Sequence, residues 1–118
     1  MKNKLYFYRA EVVSVYDGDT CHVNIDLGFN TKLMNEKIRL SGINAPELRG
    51  DEREKGLASR DFLRKLILNK EIFLETEKDR KGKYGRYLGT IWFKNENGEY
   101  VNANALLVEK GFAIYKKY

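Results

Sequence analysis

Hydrophobic and polar positions alternate along the first third of the chain. Over residues 5–16 tyrosine, phenylalanine and valine dominate, with Val13 and Val15 on one face, as in a β-strand. Asp17-Gly18 follows, a strong short-range hairpin signal. Val23, Ile25 and Leu27 then fall on one face and His22, Asn24 and Asp26 on the other. Residues 28–35 have no clear period and read as a connection. Beyond them apolar Ile38 and Leu40 alternate with polar Arg39 and Ser41, the period-two mark of a half-buried strand. Pro46 lacks a backbone donor and pushes Ala45 into an extended conformation, so that strand ends there. Three consecutive antiparallel strands make a meander.

The period then changes. Asp51 and Glu52 open a helix with acids at its positive end. Ala58, Phe62 and Leu66, with Leu63 and Ile67, recur at helical spacing as its buried stripe, leaving Arg53, Lys55, Arg60, Asp61 and Arg64 to face water. Asn69 ends it. Residues 71–78 and 86–94 read as strands, through Ile72, Phe73 and Leu74 and then Ile91, Trp92 and Phe93, and Asn97-Gly98 supplies a turn. Asn102 or Asn104 caps a short helix through Leu106, Leu107 and Val108, closed by Gly111, and residues 112–118 form a short extended tail. This order predicts a mainly β (α+β) fold, a five-stranded OB-type barrel with two helices, one plugging an end. A ferredoxin-like sandwich fits less well, because the first three strands arrive without a helix between them. With neither repeats nor low-complexity segments, residues 1–118 read as a single domain.

A chain of 118 residues is long enough to bury roughly two-thirds of its unfolded surface. Its single cysteine, Cys21, forms no internal disulfide and reads as a small half-buried side chain, and no Cys/His cluster offers a zinc site. The lone histidine, His22, reads as a sheet-face residue, and Trp92 either stacks on a base or packs in the core. No run of about eighteen apolar residues exists to span a membrane. Residues 1–10 carry no apolar core of a signal peptide, so a cytoplasmic location is expected unless the chain is trimmed from a secreted precursor. Net charge is +5, and Lys78, Arg80, Lys81, Lys83 and Arg86 cluster with a single acid, Asp79. Such a segment is either a solvated loop or the mark of a polyanionic partner.

The polar groups at the strand ends form a chemical set. Asp19, Asn44 and the Ala45 carbonyl are hard oxygen donors of the kind that suit Ca²⁺. Glu47 lies just beyond, in reach of a water beside such an ion. Arg39 and Arg86 can clamp phosphate oxygens. A metal, a carboxylate base and two guanidinium groups are what in-line attack on a phosphodiester requires.

In this order, Val15-Tyr16-Asp17-Gly18-Asp19-Thr20, Ile38-Arg39-Leu40 through Ala45-Pro46-Glu47, Asp79-Arg80 through Lys83-Tyr84-Gly85-Arg86 and the helix ending at Gly111 resemble the staphylococcal nuclease (thermonuclease) family over residues 11–114. The resemblance implies an OB-fold barrel and a Ca²⁺-dependent nuclease that cleaves the P–O5′ bond of DNA and RNA and leaves 3′-phosphates. By position it makes Asp19 the carboxylate ligand, Ala45 the carbonyl ligand and Glu47 the general base. Arg39 and Arg86 become the arginines on the reacting phosphate. Lys83 and Tyr84 lie near a terminal phosphate, and Tyr115 or Tyr118 lines the base site. Two features depart from the family pattern. Asn44 stands where a second aspartate holds the metal, and the chain stops before the C-terminal helix of fuller members. A non-catalytic OB-fold module that binds nucleic acid or protein is the alternative. DNA and RNA are the expected partners, and a monomer is the expected state.

Overall fold

The computed structural model describes residues 6–81 and 85–116. Its strands are β1 (Phe7–Asp17), β2 (Thr20–Asp26), β3 (Lys32–Leu40), β4 (Ile43–Asn44), β5 (Glu71–Lys81), β6 (Tyr87–Lys94), β7 (Tyr100–Asn102) and β8 (Ile114–Tyr115). The helices are α1 (Arg53–Ile67), entered through a 3-10 turn at Gly50–Glu52, and α2 (Ala103–Glu109). The main sheet runs β3-β2-β1-β5-β6-β7. It closes on itself where β3 and β6 pair in parallel, Ile38 opposite Tyr87, Arg39 opposite Leu88 and Leu40 opposite Gly89. Strands β1, β2, β3, β5 and β6 thus form the five-stranded barrel expected from the sequence, and the only two helices among the described residues are those expected.

Val12, Val23, Ile38, Leu40, Ile72, Leu74 and Ile91 point into the barrel and are almost wholly buried. Leu63 and Ile67 of α1 join them. Burying each such side chain contributes roughly 1.5–3 kcal/mol, which makes this cluster the main source of rigidity under the site. At the C-terminal side of β3, Leu40 donates its backbone N–H to the Asp19 carbonyl at 2.8 Å, and Ser41 donates to Gly89 at 2.8 Å. The first hairpin, the end of β3 and the start of β6 are therefore bonded to one another.

Several local expectations are corrected. β1 carries register shifts between Val12 and Ser14 and between Val15 and Asp17. The inward pair is therefore Val12 and Val15, and Val13 is exposed. β3 begins at Lys32, inside the stretch read as a connection, because Ile25 pairs with Leu33 and an irregularity absorbs the broken period. Asn35 adopts a left-handed φ of 53° there. Leu27 lies past the end of β2 and is exposed. On α1 the buried column is Gly56, Ser59, Leu63 and Ile67, one position round from the stripe through Ala58, which is exposed. Arg64 does not face water, since its guanidinium donates twice to the Val15 carbonyl, at 2.9 and 3.2 Å. The last strand of the barrel starts at Tyr87, after Arg86. Cys21 is fully buried, and burial, with the Asp17 charge second, pushes its thiol up to about 12. Asn102, not Asn104, caps α2, its Oδ1 accepting from Ala105 N at 3.1 Å. Asn104 is buried and donates instead to the Ser41 and Gly89 carbonyls, at 3.0 Å each, while accepting from Ile91 N at 3.2 Å.

Candidate active site

The turn between β1 and β2 is an Asx-type turn, with Asp17 Oδ1 accepting the Asp19 N–H at 3.0 Å. Glycine between them is required by space. Gly18 is absent from the positive-φ glycines, but a Cβ there would run into the Ser59 side chain and come within 2.8 Å of the Ala45 Cβ. The close packing brings the hairpin tip against the segment that leaves β4. Asp19, 6% exposed, accepts the Ala45 N–H at Oδ2 at 2.7 Å and the Thr20 hydroxyl at Oδ1 at 3.2 Å.

Arg39, 7% exposed, lies between these two segments. Its Nη1 donates to the Leu40 carbonyl at 2.9 Å, and its Nη2 donates to Asn44 Oδ1 at 3.2 Å and stands 3.4 Å from Asp19 Oδ2. Four residues singled out in the sequence, Asp19, Arg39, Asn44 and Ala45, are therefore in direct contact. Two carboxylates share this corner. Burial, and then the Asp19 charge, raise Asp17 from 3.8 to about 6.

Glu47 follows two residues after Ala45 and is exposed. Its backbone N–H donates to Glu52 Oε1 at 3.1 Å. Gly56, in the first turns of α1, has the Glu47 carbonyl where a Cβ would stand, so the helix backbone is pressed directly against the Glu47 backbone. Arg86 precedes β6 by one residue and is half-buried; the strand it leads into pairs Tyr87 with Ile38 and Leu88 with Arg39. Tyr115 is exposed on β8, opposite Ile43, and its neighbour Ile114 is opposite Asn44. Lys83, Tyr84 and Tyr118 lie outside the described residues. His22 is half-buried on the sheet face with Ser14 Oγ 3.3 Å from its Nδ1, and Trp92 donates its Nε1–H to Glu75 at 3.0 Å.

The segment carrying Asn44 and Ala45 is held from the far part of the chain. β8 pairs with β4, and Lys116 N donates to the Gly42 carbonyl at 2.8 Å. Ser59 donates to the Phe112 carbonyl at 2.8 Å, and the Phe62 and Phe112 rings stack 4.4 Å apart. A cleft of about 260 Å³ opens here, lined by Asn44, Ala45, Pro46, Glu52, Lys55 and Phe112 among others. Gly56, Ser59 and Phe112 carry no chemistry, and no sequence signal pointed to their positioning role or to the pairing of β4 with β8.

Among the described residues no three His, Cys, Asp or Glu side chains cluster as a metal centre. The oxygens that do converge are those of the Asp19 carboxylate and the Asn44 amide, both against Arg39, with the Ala45 N–H on Asp19 and the Asp17 carboxylate behind. Hard oxygen donors of this kind fit a divalent cation of the calcium type.

Comparison with known proteins gives a concordant result. The family described as staphylococcal nuclease homologue matches residues 37–118. The chain is 33% identical to a micrococcal nuclease of Shigella flexneri, over 94% of this chain and 60% of that protein. It is 31% identical to a thermonuclease of Staphylococcus intermedius, over 91% and 59% respectively. An uncharacterized protein of Methanocaldococcus jannaschii is 32% identical over 90% and 58%. The chain thus spans somewhat under two-thirds of the length of these relatives. No helix among the described residues is long and apolar enough to cross a membrane.

Proposed function

The chain belongs to the staphylococcal nuclease homologue family, and from that premise we propose that it is a Ca²⁺-dependent nuclease that hydrolyses phosphodiester bonds of DNA, RNA or both. The observation that supports this best is the double use of the Asp19 carboxylate. One of its oxygens accepts the Ala45 N–H and lies 3.4 Å from Arg39, so acid, amide and guanidinium are held in one fixed corner.

In this reading Asp19, Asn44 and the Ala45 carbonyl would hold the ion. When bound, calcium would supply acidification of an attacking water and neutralisation of charge at the phosphate. The Glu47 carboxylate accepts the water proton as the water oxygen bonds to phosphorus and the P–O5′ bond breaks; O5′ leaves with the bonding pair and takes a proton from solvent, giving a 3′-phosphate and a 5′-hydroxyl. Arg39 and Arg86 donate to the non-bridging oxygens, where charge grows in the transition state. Lys83, Tyr84 and Tyr115 bind the nucleotide beyond the scissile bond.

The test is cleavage of single-stranded DNA and RNA in Ca²⁺, Mg²⁺ or chelator, by the wild-type protein and by Glu47→Gln. Turnover in calcium, reduced about a hundredfold or more in the variant with substrate affinity in chelator unchanged, is the expected result. Affinity for single strands without product in any divalent ion would replace the enzyme with a binding module.

A further inference from the structure

The alternation along β3 puts Lys37 on the same outer face as Arg39, because Ile38 and Leu40 point into the barrel. In the register of the sheet Arg39 stands opposite Thr20 and Lys37 opposite His22, and His22 is in turn opposite Ser14 of β1. The rung Ser14–His22–Lys37 therefore adjoins the rung that carries Arg39. Two residues of a strand advance roughly 6.6–6.8 Å, close to the separation of neighbouring phosphates on a nucleic-acid strand.

The two cations are held differently. Arg39 is buried and committed to Leu40, Asn44 and Asp19. Lys37 is exposed, and among the described residues its ammonium makes no hydrogen bond or ion pair. Its chain neighbour Glu36, opposite inward-pointing Val23, falls on the other face by the same alternation. One rung further from the corner, Asn24 Oδ1 is taken by the Asn35 N–H at 2.8 Å, and the exposed acid Glu11 stands opposite Asn24. The free cation thus occupies a single rung.

Tyr16 supplies the second feature. It is the extra residue of the register shift between Val15 and Asp17, so it has no partner across β2, and it is 63% exposed. Val15 before it is buried, so the bulge turns Tyr16 to the outer face, between Ser14 and the Asp17-Gly18-Asp19 tip. An acidic polypeptide would meet the lysine and leave this ring idle, and a duplex keeps its bases stacked on one another. A single strand offers both a phosphate and an unpaired base. We propose that Lys37 and Tyr16 form a nucleotide subsite beside the scissile phosphate, in which Lys37 takes the neighbouring phosphate and Tyr16 stacks on its base. The subsite rests on reading the Asp19–Arg39 corner as the place where a phosphodiester is cut.

The experiment measures binding of a labelled oligothymidylate of roughly ten nucleotides by fluorescence anisotropy in chelator, at several salt concentrations. Lys37→Gln should bind about tenfold more weakly and flatten the slope of log affinity against log salt by about 0.7, the share of one phosphate contact on a single strand. Lys94→Gln, which removes an exposed lysine from the end of β6, is the control and should change neither by as much. Tyr16→Ser should also lose about tenfold, with the salt slope unchanged and with no loss on an abasic strand of the same length. Both residues are exposed, so the variants should melt like wild type. In calcium, each should raise KM for the strand and leave kcat as it is. A loss in Lys37→Gln no larger than in Lys94→Gln overturns the subsite, and so does a Tyr16→Ser protein that binds like wild type. Dependence on both residues in a protein that cuts nothing upholds the subsite and removes the enzyme; cutting without that dependence does the reverse. A wild-type protein that binds no single strand overturns both.

Discussion

Replacing Asn44 by aspartate tests the electrostatics of the candidate metal corner most directly. Asn44 Oδ1 accepts from Arg39 Nη2 at 3.2 Å, and the same nitrogen stands 3.4 Å from Asp19. A carboxylate at this position therefore shares one guanidinium with Asp19 and adds a full charge where an amide dipole stood. At an effective dielectric of about 20, a unit charge about 4 Å from a divalent ion is worth roughly 8 kcal/mol, twice the value for two unit charges. About half is already spent before the ion arrives, because the new carboxylate would hold Arg39 on a similar scale. Displacement of water and reorientation of Arg39 reduce the remainder to roughly 1.5–4 kcal/mol, a ten- to thousandfold gain in calcium affinity. Titration calorimetry with CaCl₂, together with the calcium concentration giving half-maximal cleavage, measures it. If Asn44→Asp needs as much calcium as wild type in both measurements, Asn44 is not a ligand and the metal assignment fails.

Three further expectations follow from the packing. Gly56→Ala gains about 1 kcal/mol of helix propensity but drives a methyl group into the Glu47 and Pro46 backbone; melting should fall and turnover drop at least about tenfold, and a variant that melts and turns over like wild type would free Glu47 from this constraint. Asn104→Ala strips buried partners from Ser41 O and Ile91 N and one of two from Gly89 O. Urea unfolding should register a loss of roughly 2–4 kcal/mol, against about 1 kcal/mol for the single cap bond lost in Asn102→Ala, and the reverse order would refute the hub role. Asp17 is raised in the folded state, so its contribution to stability is full below pH 3.8 and is lost as pH rises through about 6. The ceiling is about 3 kcal/mol, cut to roughly 1 kcal/mol because water screens a half-buried group. Metal-free protein should therefore lose stability across that window and Asp17→Asn should not; parallel pH profiles for the two would contradict the cause given.

The barrel was legible because its strands carry their own signals. Ile38 and Leu40 flank Arg39 in strict alternation, and the turn at Asp17-Gly18 and the stop at Pro46 are local chemistry. What was misread depends on partners distant in sequence. A bulge moves Val13 outward, and nothing in a run of valines announces where an extra residue will sit. The start of β3 was hidden because an irregular register erases the period that would reveal it. Arg64 looks like a surface charge on any helical wheel until the Val15 carbonyl is brought beneath it. Gly18 was read as a turn former, and its requirement turns out to be for room beside Ser59 and Ala45. Of the candidate site, the residue types and their order could be read directly. The supports that aim them, Gly56 under Glu47 and β8 beside β4, are tertiary and have no local signature.

The pairing of Ile114 with Asn44 has a consequence for the order of events in the cell. Synthesis runs from the amino end, so Asp19, Arg39 and Asn44 leave the ribosome long before Ile114 exists to pin the segment between them. A chain made only as far as β4 carries Asp19, Arg39 and Asn44 but neither Arg86 nor the strand that pairs with β4. On the proposed reading, the corner at Asn44 is therefore assembled only once β8 has been made and has paired with β4.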